Sequence, residues 1–247
     1  VARFARWTLA ILAGAALATG AYLAWAALTP DVASLAWRNP ETTAFIELRK
    51  AQWGKDGKKR PDQTWAPLDK ISPYLIQAVI IAEDDSFWSH KGFDLEAARK
   101  AVETNFGKGR VKFGGSTITQ QLAKNLFLTP EKTLRRKAVE AALTWRLERN
   151  LSKRRILEIY LNVVEWGDGV FGAEAAARRW FGVSAMDLTP MRAARLAAVL
   201  PGPRRLNPTK DGGYVEKRAS LLVEEMQKRG LVSGSAPLQG IPSAGGL

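Results

Sequence analysis

Glu83-Asp84-Asp85-Ser86-Phe87-Trp88-Ser89-His90-Lys91-Gly92-Phe93-Asp94 follows directly on an apolar run, Ala78 to Ala82. Hydrophobic residues thus carry a dense set of carboxylates to the edge of a core. A glutamate so placed, short of water, keeps its proton to higher pH and can act as a general base near neutrality. Taken alone, the block reads equally well as a helix end with solvated acids. A second polar block, Gly114-Gly115-Ser116-Thr117-Ile118-Thr119-Gln120-Gln121-Leu122-Ala123-Lys124-Asn125, adds hydroxyls, amides and a lysine. Thr117, Gln121 and Lys124 fall on one helical face at i, i+4 and i+7. Further on, Arg136 and Lys137 lie four and three residues before Glu140, so a helix gathers all three on one side.

The elements needed to position these side chains are mostly helices. Ser72-Pro73 reads as an N-cap with proline at the first helical position, opening a helix that delivers Glu83 at its C-terminal end. Leu95 to Glu103 fits a short helix, followed by a turn at Gly107-Lys108-Gly109-Arg110. Thr117 and Gln120 fit a T-x-x-Q capping box at the next helix start, with Ile118, Leu122 and Leu126 on its apolar face. A helix over Leu134 to Arg149 takes Leu134, Ala138, Ala141 and Trp145 as its apolar stripe. The next runs from Lys153 to Trp166, apolar at Ile156, Ile159, Tyr160 and Val163. Gly167, Gly169 and Gly172 punctuate the turn that follows. Thr189-Pro190 starts another helix, ended by Leu200-Pro201, and a last one covers about Val215 to Lys228 with Gly230 as its stop. Gly54 to Asp62 reads as a basic surface loop. No alternating strand series is visible, and the domain reads as mainly α.

Composition narrows the chemistry. The 247 residues allow one domain of about 200 residues with extensions. There is no cysteine, which excludes disulfides, thiolate catalysis and Cys-ligated zinc, and a single histidine excludes a multi-histidine metal site. The net charge of +13 favours anionic partners: nucleic acid, anionic lipid or phosphate-bearing substrates. Trp7 to Leu28 carries no charge and would span roughly 33 Å as a helix, enough for a hydrocarbon core. It is too long for the apolar core of a cleaved signal peptide. Arg3 and Arg6 precede it, which places residues 1–6 in the cytoplasm and the remainder outside. A basic domain beyond the membrane meets lipid and lipid-linked phosphate, so nucleic acid is not expected. The expected organisation is a cytoplasmic start (1–6), a transmembrane anchor (7–28), a juxtamembrane connection (29–64), a catalytic domain (65–230) and a flexible tail (231–247).

The two opening blocks, with RRKAVEAALTWRLE (Arg135 to Glu148), KRRILEIYLN (Lys153 to Asn162) and GVFGAEAAARRWFG (Gly169 to Gly182), resemble in order the peptidoglycan glycosyltransferases of family 51. The resemblance covers about Trp65 to Pro208. An anchor followed by a lone glycosyltransferase domain looks like the monofunctional branch. No serine precedes a lysine by three residues and no Lys-Thr-Gly occurs, so the acylation motifs of a transpeptidase domain are missing. Trp180 stands where the family usually has tyrosine, and Arg192 where it often has an acid.

The resemblance implies a lysozyme-like, two-lobed helical fold and a glycan polymerase of the bacterial inner membrane. Its acceptor would be lipid II and its donor the growing lipid-linked strand, with inversion and loss of undecaprenyl pyrophosphate. Glu83 is then the general base and Glu140 the second catalytic carboxylate. Glu140 either orients Arg136 and Lys137 or holds a divalent cation, magnesium or manganese. Lys124, Arg136 and Lys137 would meet the pyrophosphate, with the positive helix end near Ser116 adding to their field. Asp84, His90, Ser116, Thr117, Gln120, Gln121 and Asn125 complete the expected substrate set, Asp84 in an orienting role. Phe106, Val111 and Phe113 among Arg99, Lys100, Lys108, Arg110 and Lys112 would form a segment touching membrane lipid. Cell-wall synthesis proteins are further expected partners. The competing readings are a lysozyme-like enzyme that cleaves glycan, which needs no cationic pyrophosphate site, and a membrane-anchored scaffold.

Overall fold

The structure, a computed structural model, describes residues 2–54, 60–99 and 115–232. The expected turn at 107–110, the interfacial segment over 100–113, Gly114, the middle of the basic loop (55–59) and residues 233–247 of the tail lie outside the described residues. The fold is mainly α. Its helices are α1 (Ala2–Leu28), α2 (Ala44–Gln52), α3 (Pro73–Glu83), α4 (Ile118–Phe127), α5 (Leu134–Asn150), α6 (Lys153–Val163), α7 (Ala173–Phe181), α8 (Pro190–Val199) and α9 (Gly213–Lys228). Residues 95–99 are also helical.

Two groups of helices meet at the carboxylate-rich turn after α3. In the first, α3 packs against α8 and α9. Every residue from Leu75 to Ile80 is buried, as a helix apolar all round requires. Ser72 does not cap α3 with its side chain; its hydroxyl donates to Leu188 O at 3.0 Å and ties the helix start to the segment before α8. In the second group, α4 packs on α5 and α6. The capping box of Thr117 and Gln120 is formed, and all four expected apolar positions of α6 are buried.

The stripe expected on α5 is incorrect. Leu134 is 91% exposed and Trp145 56% exposed, whereas Val139, Leu143 and Leu147 face the core. Both lines have helical spacing; the second is continuous at i, i+4 and i+8, and the core lies on its side. Trp145 instead carries the Arg149 guanidinium 5.3 Å from its ring centroid.

A small sheet in the order β1-β3-β2 joins β1 (Asp62–Gln63), β2 (Glu165–Gly167) and β3 (Val170–Phe171), with β1 parallel and β2 antiparallel to β3. Strands this short show no alternation in sequence. Gly172 follows with φ +85°, and a Cβ there would lie 2.9 Å from Asn162 O. The Trp180 ring rests on Gly167, where a Cβ would come within 2.7 Å of it, and Arg192 lies over the Phe181 ring at 5.7 Å.

The described residues from 29 to 54, after α1, join the packed body. α2 packs on α4. Arg49, on α2, is buried, donates to Glu165 at 3.0 Å and pairs with Asp168. By contrast α1 stands clear: Trp7, Ile11, Leu12 and Leu17 are exposed, and by length and composition the helix is able to cross a membrane. Among the described residues, those of its last turns dock. Ala27 is buried, Arg146 of α5 donates to Ala27 O at 2.5 Å, and the Arg135 guanidinium lies 4.2 Å from the Tyr22 ring centroid.

Candidate active site

The apolar helix α3 ends on Glu83, and α4 presents its polar face to that end. Gln121 Nε2 donates to Glu83 Oε2 at 2.9 Å. Burial raises the Glu83 pKa above the ordinary glutamate range; the Gln121 hydrogen bond and the charges of Arg218 and Lys124 act against that rise, and Asp84 adds to it. Glu83 therefore has the character of a base held in a poorly hydrated place.

One turn along α4 from Gln121 stands Lys124. Burial lowers its pKa; Glu140 and Glu83 oppose the shift, while Arg136 and Lys137 reinforce it. The lysine is thus electrostatically coupled to both carboxylates and to both cations of α5. Its ammonium also lies over the Phe45 ring at 5.7 Å, so α2 closes that side. On α5, Glu140 is buried and takes a hydrogen bond from Arg136 Nη1 at 2.5 Å and another from Lys137 Nζ. The i, i+3 and i+4 spacings realise this triad within one helix.

A divalent cation would find Glu140 already engaged by two cations. Among the described residues, no three His, Asp or Glu side chains gather to hold a metal. These residues by themselves build no metal site, and Glu140 is paired with Arg136 and Lys137.

Asp84 and His90 sit beside this cluster as its frame. His90 Nδ1 accepts from Gly92 N at 3.0 Å, which leaves the proton on Nε2, 2.8 and 3.0 Å from the two Asp84 oxygens. Asp84 Oδ2 also accepts from Ile118 N, the first amide of α4, at 2.8 Å. The carboxylate thereby occupies the positive helix end that was expected to receive a substrate anion. Thr117 accepts from Gln120 N and donates to Gly92 O at 2.8 Å, and Gln120 accepts from Thr117 N. Thr117 and Gln120 thus bond within the protein, Asn125 is buried, and Ser116 is half-buried at the start of α4. Of the expected set, Glu83, Gln121, Lys124, Arg136, Lys137 and Glu140 converge; Asp84, His90, Thr117 and Gln120 hold them in place.

Two further residues bear on Glu83. The buried Tyr160 of α6 donates its hydroxyl to Gln121 Oε1 at 3.0 Å. Its reading as part of an apolar stripe overlooked that a buried tyrosine hydroxyl needs a partner. Arg218 of α9 reaches Ala82 O at 3.1 Å. Its signal was its place between Val215 and Leu222, at i+3 and i−4, on the face α9 buries.

A cavity of about 560 Å³ opens between the end of α1 and the start of α5, with Tyr22, Trp25, Phe127, Leu128 and Arg136 among its walls. Arg136 is thus shared between this cavity and the Glu140 triad.

Residues 50–227 match the model of the family described as Transglycosylase. The chain is similar to the biosynthetic peptidoglycan transglycosylase of Aromatoleum aromaticum, at 57% identity over 171 residues covering 68% of this chain and 73% of that protein. A protein of the same name from Dechloromonas aromatica is 45% identical over 90% of this chain and 95% of its own length. One from Rhodospirillum centenum is 43% identical over 92% of each.

Proposed function

The chain belongs to the transglycosylase family and is a glycosyltransferase; from that premise we propose that it polymerises glycan strands of peptidoglycan from lipid-linked precursors at the bacterial inner membrane. The observation that carries this reading is the placement of Glu83, a carboxylate of raised pKa, in the field of Lys124, which is coupled in turn to Glu140, Arg136 and Lys137. The acceptor is lipid II and the donor is the growing lipid-linked strand. Glu83 takes the proton of the acceptor's sugar hydroxyl as that oxygen bonds to the donor's anomeric carbon. The bond from that carbon to the pyrophosphate breaks, with inversion, and undecaprenyl pyrophosphate leaves with the bonding electrons. Lys124, Arg136 and Lys137 meet the charge that grows there, and Glu140 keeps the last two aimed. Substrate oxygens complete their contacts on Gln121 and Ser116. The cavity beside Arg136 offers the prenyl chain an apolar path toward α1, the single membrane anchor, with the N-terminus cytoplasmic and the catalytic domain on the periplasmic side.

A glycan-cleaving enzyme would have no use for Lys124, Arg136 and Lys137 gathered beside Glu140. Incubating the full chain with labelled lipid II in detergent tests the reading. Polymer together with released undecaprenyl pyrophosphate is the expected result. Cleavage of preformed glycan without polymer, or no reaction, would replace it with a hydrolase or a scaffold.

A further inference from the structure

Two guanidiniums of α9 bracket the turn that bears Glu83. Arg218 donates from Nη2 to Ala82 O at 3.1 Å, one residue before it. Arg229, at the end of the helix, forms a two-pronged pair with Asp85 at 2.5 and 3.0 Å, two residues after it. The pairs differ in kind. Asp85 and Arg229 are both substantially exposed, so theirs is a surface ion pair of small worth. Arg218 is half-buried, its Nε is shielded from solvent with no hydrogen-bond partner, and among the described residues it has no carboxylate within ion-pairing distance. A guanidinium withdrawn from water costs free energy unless opposite charge lies nearby. At longer range its charge acts on Glu83.

We propose that Arg218 is a positioning residue for Glu83: it clamps the last turn of α3 through Ala82 O and places a fixed positive charge behind the carboxylate. This rests on the reading of Glu83 as the base. The other groups bearing on Glu83 are Gln121 and Lys124 from α4, Tyr160 from α6 through Gln121, and Asp84 on its own turn. α8 also packs on α3, but its Arg192 lies over Phe181 and its Arg195 binds Asp211. Arg218 therefore supplies, from α9 packed on α3, positive charge that lies outside the leaving-group set. Its charge opposes the upward shift that burial imposes on Glu83.

The experiment uses the full chain in detergent with Arg218→Met, Arg218→Gln and Arg218→Lys. Methionine keeps much of the volume without the charge, a replacement that buried ionic positions often tolerate. The first readout is the titration of the Glu83 carboxyl by carbon NMR, assigned by its loss in Glu83→Gln. The midpoint moves to higher pH in the Met and Gln variants and returns toward wild type in the Lys variant. The second is the pH profile of lipid II polymerisation. The acid limb of kcat moves the same way, KM changes little, and kcat near neutrality falls roughly ten-fold or more, toward what general-base assistance supplies. An unmoved Glu83 midpoint in a folded neutral variant overturns the proposal. A moved midpoint with an unmoved acid limb upholds the placement of Arg218 and instead removes Glu83 as the base.

Discussion

Tyr160 and Glu83 are joined through a single amide: Tyr160 Oη donates to Gln121 Oε1 at 3.0 Å, and Gln121 Nε2 donates to Glu83 at 2.9 Å. Burial raises the Tyr160 pKa well above its ordinary value, so the hydroxyl stays protonated and fixes which end of the amide faces the carboxylate. Tyr160→Phe frees that amide to rotate. Its stability should drop by about 1 kcal/mol, as for one lost hydrogen bond, and kcat should fall more than KM rises. Steady-state kinetics with lipid II, alongside thermal unfolding, separates the two effects; unchanged kcat would show that the amide needs no such lock.

Glu83→Gln should sharply slow turnover yet leave the protein at least as stable. A glutamate whose folded pKa is raised binds its proton more tightly in the native state, so ionisation costs stability as pH rises past its unfolded value, about 4.5. Glutamine removes that cost. The variant's melting advantage should be largest at neutral pH and fade below about pH 4.5. Polymerisation should drop by about 10²–10⁴-fold, the range of general acid–base catalysis. Synthesis within a few-fold of wild type would move the role to another carboxylate.

Lys124→Ala and Arg136→Ala should impair turnover more than folding. Each loses a cation aimed at charge that develops in the transition state, at about 2–4 kcal/mol of barrier. Lys124 is itself held at a cost, since burial disfavours its charged form, so its removal should not lower the melting temperature. Near-normal rates for both folded variants at saturating lipid II would disprove the leaving-group site.

Asp84→Ala should act on folding first. It strands the Ile118 amide and His90 Nε2 together, and buried groups left unpaired cost about 1–3 kcal/mol each. Chemical denaturation of Asp84→Ala and His90→Ala should show both destabilised, with a sub-additive double variant because they share one bond. Full additivity would mean the two residues act separately.

Much of the site could be read from spacing because much of it is local. The capping box, the Arg136–Lys137–Glu140 triad and the Gln121–Lys124 face each lie within one helix, where i, i+3 and i+4 geometry determines neighbours. Contacts made across the fold were not legible. Nothing near Ser116 announces that Asp84, far back in the chain, takes the first amide of α4. Tyr160 read as part of an apolar stripe and Arg218 drew no reading until the packing of α6 and α9 brought them to bear on Glu83. On α5 two lines of apolar residues compete, and only tertiary packing selects Val139, Leu143 and Leu147. The helix Ala44–Gln52 was hidden for the opposite reason, since its mixed polarity gives no clean stripe and its anchoring Arg49 finds Glu165 only in three dimensions.

The seat of Ala27 beneath Arg146, with Tyr22 under Arg135, makes the anchor helix a mast rather than a tether. At 27 residues it is roughly 40 Å long. A domain on a flexible leash would sample many heights and tilts above the bilayer, and its effective concentration at any one depth would be low. If α1 crosses the bilayer as proposed, Lys124 and Arg136, fixed to the mast, keep a set elevation over the lipid surface. On the proposed function the search for a lipid-borne phosphate would then be two-dimensional, and shortening or lengthening α1 by a turn should detune it even with every catalytic side chain intact.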